Sequence, residues 1–302
     1  MTRDSRSLHS QWSQASAAAK NPRLRQIIQT LEERGTEGLG VTDICKLIQF
    51  TKREILARAR ADKKLLTNQG HYITGFSDDS YRREIDALKI LAEGLHFTPA
   101  LHQWVDSCLT GLAQRLAREH TAAQMRDIWK GMDENGHLSY MKAVNILHAQ
   151  AFSQRELPIA PADIQVKSLP DRILGTFCFD GHELYAASQP IIHLDPSNIH
   201  KSTLEKAVGT VVHEGLHNVL RQLARHHHAN PLSSAHPLRK DAALMLARVQ
   251  YDAYIPSIFG EAYLADAEER LCFKHEQFAP LFSAQTGKLP HWAERIRRLF
   301  PD

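Results

Sequence analysis

Three residues in the second half of the chain, His213, Glu214 and His217, have the types and spacing needed to bind a metal ion and activate water. On an α-helix the two histidines of this His-Glu-x-x-His pattern lie one turn apart, so both imidazoles point the same way and can bind one Zn²⁺ ion. Glu214 lies beside them and can reach a water molecule on the metal. The pattern therefore predicts a zinc site with its own general base. Because the chain contains 18 histidines, the alternative is a core helix that carries two of them by coincidence.

The stretch from Ser202 to Leu223 is predicted to form the helix that carries this motif. Ser202 and Glu205 have the spacing of a capping box, and no proline interrupts the run. Apolar side chains recur at helical spacing along it. They are Leu204, Val208, Val211, Val212, Leu216, Val219 and Leu223. The motif is therefore expected on a helix with a defined start and one apolar face.

A zinc site of this kind needs a third protein ligand, and the residues directly after the motif do not supply one. A metzincin would continue with a glycine and then a histidine, but this chain has Leu220 and Leu223 at those positions. The run His226–His228 starts a polar stretch that ends at Pro231, and its composition predicts a solvated loop. The ligand is therefore expected from the next acidic segment, residues 261–276, which is predicted as a helix.

Three glutamates in that segment are candidates for the third ligand, namely Glu269, Glu261 and Glu268. A helix that packs closely under the motif needs a small residue on the contacting turn, and Glu269 has Cys272 one turn later. Glu261 lies nearer to Pro256, where the helix need not yet be regular. We expect Glu269 to be the ligand and keep Glu261 and Glu268 as alternatives. The acids that do not bind metal should lie on a solvated face or support the ligands.

The bulk composition of the 302 residues, 43% hydrophobic and 24% charged, is that of an ordinary globular protein. Residues 1–75 hold 13 Lys and Arg against 7 Asp and Glu, so the basic character is concentrated there. The four cysteines are widely spaced, which argues against a disulfide framework. There is neither an apolar run of membrane-spanning length nor a Sec-type signal in residues 1–20. We expect no membrane contact, and a location that is cytoplasmic or reached by a non-Sec secretion system.

The chain is expected to divide into four segments. Residues 1–20 are predicted to be a disordered tail, 21–78 a small domain, 79–154 a helical linker or scaffold, and 155–302 the domain that carries the motif. Helices are predicted in the third segment at Asp79–Leu95, Pro99–Glu119, Ala122–Met132 and Leu138–Phe152. Strands are predicted in the fourth at Ile164–Val166, Ile173–Phe179, Leu184–Ala187 and Pro190–Leu194, with a hairpin turn at Asp180-Gly181. The predicted fold class is α+β and mainly helical.

Residues 21–78 resemble a winged helix-turn-helix domain. Three helices are predicted, at Leu24–Glu33, Val41–Ile48 and Thr51–Lys64, followed by two short strands around Asn68-Gln69-Gly70. The resemblance implies a contact with DNA or with another protein. Basic side chains on the third helix are the candidates for DNA phosphates, namely Lys52, Arg53, Arg58, Arg60, Lys63 and Lys64. The alternative is that these charges form a solvated face.

A small sheet followed by a helix with His213, Glu214 and His217 resembles the zincin fold of zinc metallopeptidases, over about residues 160–280. The spacing of Tyr263, Glu269 and Cys272 resembles the third-ligand helix of lethal-factor-like toxin peptidases and of peptidase domains in mobile-element proteins. This gluzincin-like resemblance implies a Zn²⁺ cofactor, Glu214 as general base, and an edge strand that holds an extended peptide.

The function that the sequence indicates is therefore a zinc endopeptidase that cleaves a specific protein substrate, either as a secreted effector or toxin or as an intracellular regulator. The main alternative is a DNA-binding transcriptional or stress regulator whose peptidase-like domain senses a ligand. A degenerate zincin that serves only as a binding scaffold is disfavoured because the motif is intact.

Overall fold

The computed structural model of the protein describes residues 21–61, 67–68, 71–72, 81–116, 122–170, 173–184 and 187–276. These residues are mainly helical with small sheets, which confirms the α+β, mainly helical class. The tail predicted at residues 1–20 lies outside them. None of the helices in this part of the chain is both long and apolar enough to cross a bilayer.

The helices of the described residues are α1 (Pro22–Arg34), α2 (Val41–Ala61), α3 (Arg82–Glu93), α4 (Pro99–Leu116), α5 (Ala122–Gly131), α6 (Glu134–Phe152), α7 (Pro196–His200), α8 (Leu204–Ala229), α9 (Arg239–Gln250), α10 (Glu261–Leu264) and α11 (Ala267–Glu276). The strands are β1 (Thr67–Asn68), β2 (His71–Tyr72), β3 (Asp163–Val166), β4 (Gly175–Phe179) and β5 (Pro190–Leu194). The chain forms two compact units, one from residues 1–96 and 250–267 and one from residues 97–249 and 268–302.

The N-terminal helices of the first unit differ from the predicted winged-helix order. Helix α2 is one continuous helix of 21 residues, so the predicted break before Thr51 is wrong. Thr51 is fully buried inside it, and neither glycine nor proline interrupts the run that would have to turn there. The antiparallel pairing of β1 with β2 around residues 69–70 confirms the predicted hairpin.

Two of the six basic side chains proposed for DNA contact form hydrogen bonds or ion pairs with other residues of the first unit. Lys52 is 5% exposed, and its ammonium donates to the backbone carbonyls of Asp252 and Tyr254. Arg58 pairs with the buried carboxylate of Glu84. Arg53 and Arg60 are exposed, and Lys63 and Lys64 lie outside the described residues. The basic face that remains on α2 is therefore smaller than the sequence indicated.

The second unit contains a three-stranded sheet in the order β3-β5-β4. Strand β5 is central and pairs in parallel with β3 and antiparallel with β4. The predicted hairpin at Asp180-Gly181 is wrong, because β4 pairs with β5. Leu184 and Ala187 of the predicted strand Leu184–Ala187 lie in turns, and residues 185–186 lie outside the described residues. The Asp180 carboxylate accepts a hydrogen bond from the backbone nitrogen of Gln189, which closes this connection.

Helix α8 is the central helix of the second unit. Thr203, rather than Ser202, is its N-cap, and the Thr203 hydroxyl accepts from the backbone nitrogen of Lys206. The helix continues through His226–His228 to Ala229, so the solvated loop predicted there is wrong. The stretch has no residue that breaks a helix, and the backbone nitrogen of Asn230 still bonds to the carbonyl of His226. The polar composition indicated exposure and not the end of the helix.

Two glycines allow neighbouring elements to approach α8 closely. A Cβ atom on Gly215 would lie 2.9 Å from the ring of His148 on α6, which is fully buried and whose pKa is lowered by that burial to about 3. A Cβ atom on Gly175, the first residue of β4, would lie 2.7 Å from Cγ2 of Thr210 and 3.2 Å from Cγ of Glu214. The sheet therefore packs against the turn of α8 that carries Glu214.

The predicted helix over residues 261–276 is broken in two. Helix α10 ends at Leu264 and belongs to the first unit, and α11 starts at Ala267. Asp266, between them, is fully buried and accepts from the backbone nitrogen of Ile255. That hydrogen bond holds the break in place, so Glu261 and Glu269 do not share one helix.

Substituting Gly175 by alanine should destabilise the protein by about 1–3 kcal/mol, because the new methyl group overlaps the stiff β-branched side chain of Thr210. Chemical denaturation measures this. Adding Thr210→Ser should recover most of the loss, since serine lacks the clashing methyl group but keeps the hydroxyl that bonds to the Lys206 carbonyl. Gly111→Ala is the control: no atom of the described residues lies within 4 Å of its Cβ position, and the change should stabilise α4 by about 0.5–1 kcal/mol. Equal effects of the two alanine substitutions would contradict this packing.

Candidate metal centre

Helices α8 and α11 bring the predicted metal-binding residues together in the second unit. His213 and His217 lie one turn apart on α8, and Glu269 faces them from α11. All three are buried, with side-chain exposures of 9%, 8% and 1%. Donor groups of this kind are costly to bury unless they bind one another or a cation, so the burial of all three in one place indicates a preformed binding site.

The distances among these three side chains fit one tetrahedral metal ion. The Nε2 atoms of His213 and His217 are 3.3 Å apart. One Glu269 carboxylate oxygen, Oε2, lies 3.4 Å from Nε2 of His213, and the other, Oε1, lies 3.3 Å from Nε2 of His217. Tetrahedral zinc with bonds of about 2.0–2.1 Å separates its ligand atoms by about 3.3–3.4 Å. Each donor pair therefore has the spacing of two ligands in such a site, with one Glu269 oxygen facing each histidine.

Cys272 is a further donor that faces the same place. It is fully buried, one turn after Glu269 on α11. One ligand atom each from His213, His217 and Cys272 lies within 4.8 Å of the other two. Burial raises the pKa of the Cys272 thiol, against the effect of His217, so the group stays neutral unless a metal ion replaces its proton. Helix α11 thus offers the histidine pair a carboxylate and a thiol.

Glu268 lies on the other side of His217 and has a different set of partners. One of its oxygens is 2.8 Å from Nδ1 of His217. Arg221 donates to both oxygens at 3.0 Å, and Arg248 approaches one of them at 3.3 Å. A carboxylate on the far nitrogen of a metal-binding histidine fixes the orientation of its ring and makes it a better ligand. Glu268 is therefore placed to support His217 rather than to bind the metal.

The electrostatics of this cluster favour ionised carboxylates. Burial raises the pKa of Glu268, but the charge of Arg221, the hydrogen bond from His217 and the charge of Arg248 together hold it well below its usual value. The pKa of Glu269 is also well below its usual value, because the two histidines outweigh burial. For His217 burial acts in the opposite direction, yet Cys272, Glu269 and Glu268 raise its pKa well above the usual value. A cation at this point is therefore favoured.

Glu214 and two aromatic rings complete the surroundings of the histidines. Glu214 is 8% exposed and lies against the first residue of β4, where its carboxylate would be 3.4 Å from a Cβ atom on Gly175. The ring of Phe177 on β4 is nearly parallel to that of His217, with centroids 6.5 Å apart. The ring of Phe273 meets that of His213 edge-on at 4.7 Å. Apolar walls of this kind lower the local dielectric and strengthen the interactions of charged groups.

The structure thus brings His213, His217 and Glu269 together, with Glu214 beside the histidine pair. Glu261 lies in the first unit, where its half-exposed carboxylate is 3.6 Å from Lys89. Sequence reasoning missed the roles of Arg221, Arg248 and Gly175, and it treated Cys272 only as a small packing residue. Arg221 had a usable signal, because it lies one turn after His217 on the same face of the helix. Arg248 and Gly175 had none.

Comparison of the chain with family profiles, curated proteins and solved structures finds no match. The functional interpretation therefore depends on the chemistry of these side chains.

Replacing Glu268 by glutamine should cost about 3–5 kcal/mol of stability, because it removes the charge that compensates two buried arginines. Glu183→Gln is the matched control, since Glu183 pairs with the same Arg221 but its side chain is 38% exposed. That change should cost at most about 1 kcal/mol. Urea denaturation of the two variants side by side gives the comparison. A Glu268→Gln variant as stable as Glu183→Gln would show that the buried charges are compensated elsewhere.

Proposed function

We propose that the protein is a zinc-dependent endopeptidase with His213, His217 and Glu269 as metal ligands and Glu214 as general base. The observation that carries the proposal is that each pair among the three proposed ligands has donor atoms 3.3–3.4 Å apart, with Glu214 on the same helix as the two histidines. Two histidines and one glutamate are the ligand set of several zinc peptidases, and they leave one coordination position open for water.

Zinc bound to these residues would supply Lewis acidity, which makes a water molecule more acidic and polarises the carbonyl of the scissile peptide bond. The protein contributes the ligands and their orientation. Glu268 fixes the ring of His217 through Nδ1, and Arg221 and Arg248 fix Glu268. This buried chain of contacts keeps Nε2 of His217 directed at the metal position.

Glu214 is the residue that moves protons in this proposal. Its carboxylate takes a proton from the attacking water and afterwards delivers it to the nitrogen of the leaving amine. Gly175 supports this role, because the absence of a side chain there leaves space for Glu214 against β4. The partial burial of Glu214 also keeps bulk water from competing for its carboxylate.

Strand β4 is proposed as the element that holds the substrate. Within the described residues its only strand partner is β5, so its other edge offers backbone groups to an extended peptide. The strand begins beside Glu214 and carries Phe177 next to His217. A peptide that adds to this edge would therefore run past the metal ligands, which favours a polypeptide over a small molecule as substrate.

A DNA-binding regulator remains the second hypothesis, and the structure adds no observation in its favour. Lys52 is buried and bonded to backbone carbonyls, so it cannot reach a phosphate without leaving those partners. The peptidase proposal has the stronger support, because it accounts for a buried cluster that a DNA-binding role leaves unexplained.

Glu214→Gln should retain zinc and stability but abolish peptide hydrolysis, because it removes the base and leaves all proposed ligands intact. Metal analysis, thermal unfolding and proteome-wide identification of new N-termini measure the three properties. Glu205→Gln, on the first turn of the same helix, is the control and should cleave like wild type. New N-termini that appear equally with Glu214→Gln would exclude this mechanism.

The ligand assignment predicts an order of zinc affinities for alanine variants of the three glutamates. Glu269→Ala should lose several orders of magnitude, since it removes a ligand. Glu268→Ala should lose about 10–100-fold, because it removes the orienting contact to His217. Glu261→Ala should bind zinc like wild type. Chelator competition on the folded proteins gives the affinities, and a greater loss for Glu261 than for Glu269 would overturn the assignment.

A further inference from the structure

Helices α8 and α11 each present two metal donors, so the site has four candidate ligands and not only the three proposed above. His213 and His217 are separated by four positions on α8, and Glu269 and Cys272 by three positions on α11. Residues three or four apart lie on one face of a helix, so each helix offers a pair of donors to the other. Two pairs that face one another are the arrangement with which proteins fill a tetrahedral zinc shell completely.

The distances allow Cys272 to join the other donors. Ligand atoms of Cys272, His213 and His217 already lie within 4.8 Å of one another. A tetrahedral site with one zinc–sulfur bond of about 2.3 Å requires nitrogen–sulfur separations of about 3.5 Å. The separations exceed that value by at most about 1.3 Å, and rotation of a small side chain about χ1 covers such a distance.

The charges of the cluster also favour a thiolate. Glu268 and Glu183 are matched by Arg221 and Arg248, with which they form buried or partly buried ion pairs. These four groups balance one another. With Glu269 as the only anionic ligand, a divalent ion would keep one positive charge within its ligand shell, and a Cys272 thiolate would neutralise it. Glu214 is the proposed general base and not a ligand. Thiolate is moreover a strongly preferred zinc ligand in proteins.

We infer that Cys272 is a fourth metal ligand, so that the centre rests in a closed His213, His217, Glu269, Cys272 form. This inference rests on the proposed zinc site and adds a regulatory property to it. On binding the metal, the Cys272 thiol loses its proton to solvent and coordinates as thiolate. Hydrolysis then requires the sulfur to leave the metal, because a water molecule needs the same position. Cys272 would thus act as an inhibitory ligand within the chain, whereas Glu269, one helical turn away, stays bound during catalysis.

X-ray absorption spectroscopy at the zinc edge tests the coordination on the full wild-type chain. The expected result is one sulfur at about 2.3 Å together with nitrogen and oxygen at about 2.0–2.1 Å. The sulfur should disappear in Cys272→Ser and remain in Cys108→Ser, a control cysteine on α4. Bound zinc without sulfur in the wild type overturns the inference and leaves the peptidase proposal intact. If the wild type binds no zinc, both proposals fail.

Cobalt substitution gives a second test, which uses the wild-type protein and so does not depend on how well a variant folds. Wild-type protein loaded with Co²⁺ should show the intense near-ultraviolet absorption of a cobalt–thiolate bond, in addition to the visible bands of four-coordinate cobalt. Visible bands without the thiolate absorption would overturn the inference.

At equal zinc occupancy, Cys272→Ala should also cleave unfolded casein faster than wild type, whereas Cys108→Ala should not. An equal or lower rate for Cys272→Ala would overturn the closed resting form.

Discussion

The arrangement of helices in the second unit depends on the contacts of one buried carboxylate, that of Glu268. It connects α11 to α8 through His217 and Arg221, and to α9 through Arg248. Moving such charges out of water costs several kcal/mol for each ion, and only good geometry with several hydrogen bonds compensates that cost. A buried ion pair adds little net stability over a well-packed apolar substitute, but the loss of one partner is costly because it leaves the other charge buried and unpaired.

The close approach of α8 to its neighbours is the second constraint. A helix that is buried over most of its length can have large side chains only where its neighbours have small ones. Gly175 makes space for Thr210 and Glu214, and Gly215 makes space for the ring of His148. His148 is kept neutral by burial, so this neighbour adds no charge to the face of α8 opposite the proposed metal ligands. The cluster of ionised groups therefore remains on one side of the helix.

The sequence predicted the parts of this protein that depend on local patterns. The helix around His213 and His217 was found because its apolar spacing and motif lie within one element, and strands β3 and β5 were found from short apolar runs. The predicted hairpin at Asp180-Gly181 was wrong because β4 pairs with the strand that begins at Pro190 and not with the nearer run, and local composition does not decide between two partners. The break between α10 and α11 was missed because it depends on a contact outside the helix, the hydrogen bond from the backbone nitrogen of Ile255 to Asp266. Glu268 could be recognised as a supporting residue only once Arg221 and Arg248 were seen around it.

The burial of the proposed ligands has a consequence for how the protein would acquire its metal. The Glu269 side chain is 1% exposed and the two histidines are below 10%, so a bound ion would exchange slowly with the solvent. Local opening of packed helices is infrequent, and its rate rather than the affinity then limits exchange. The ion bound when the chain folds would therefore be replaced only over many such openings. The metal found in a given molecule would depend on the supply of ions during its synthesis as well as on the solution in which the protein later works.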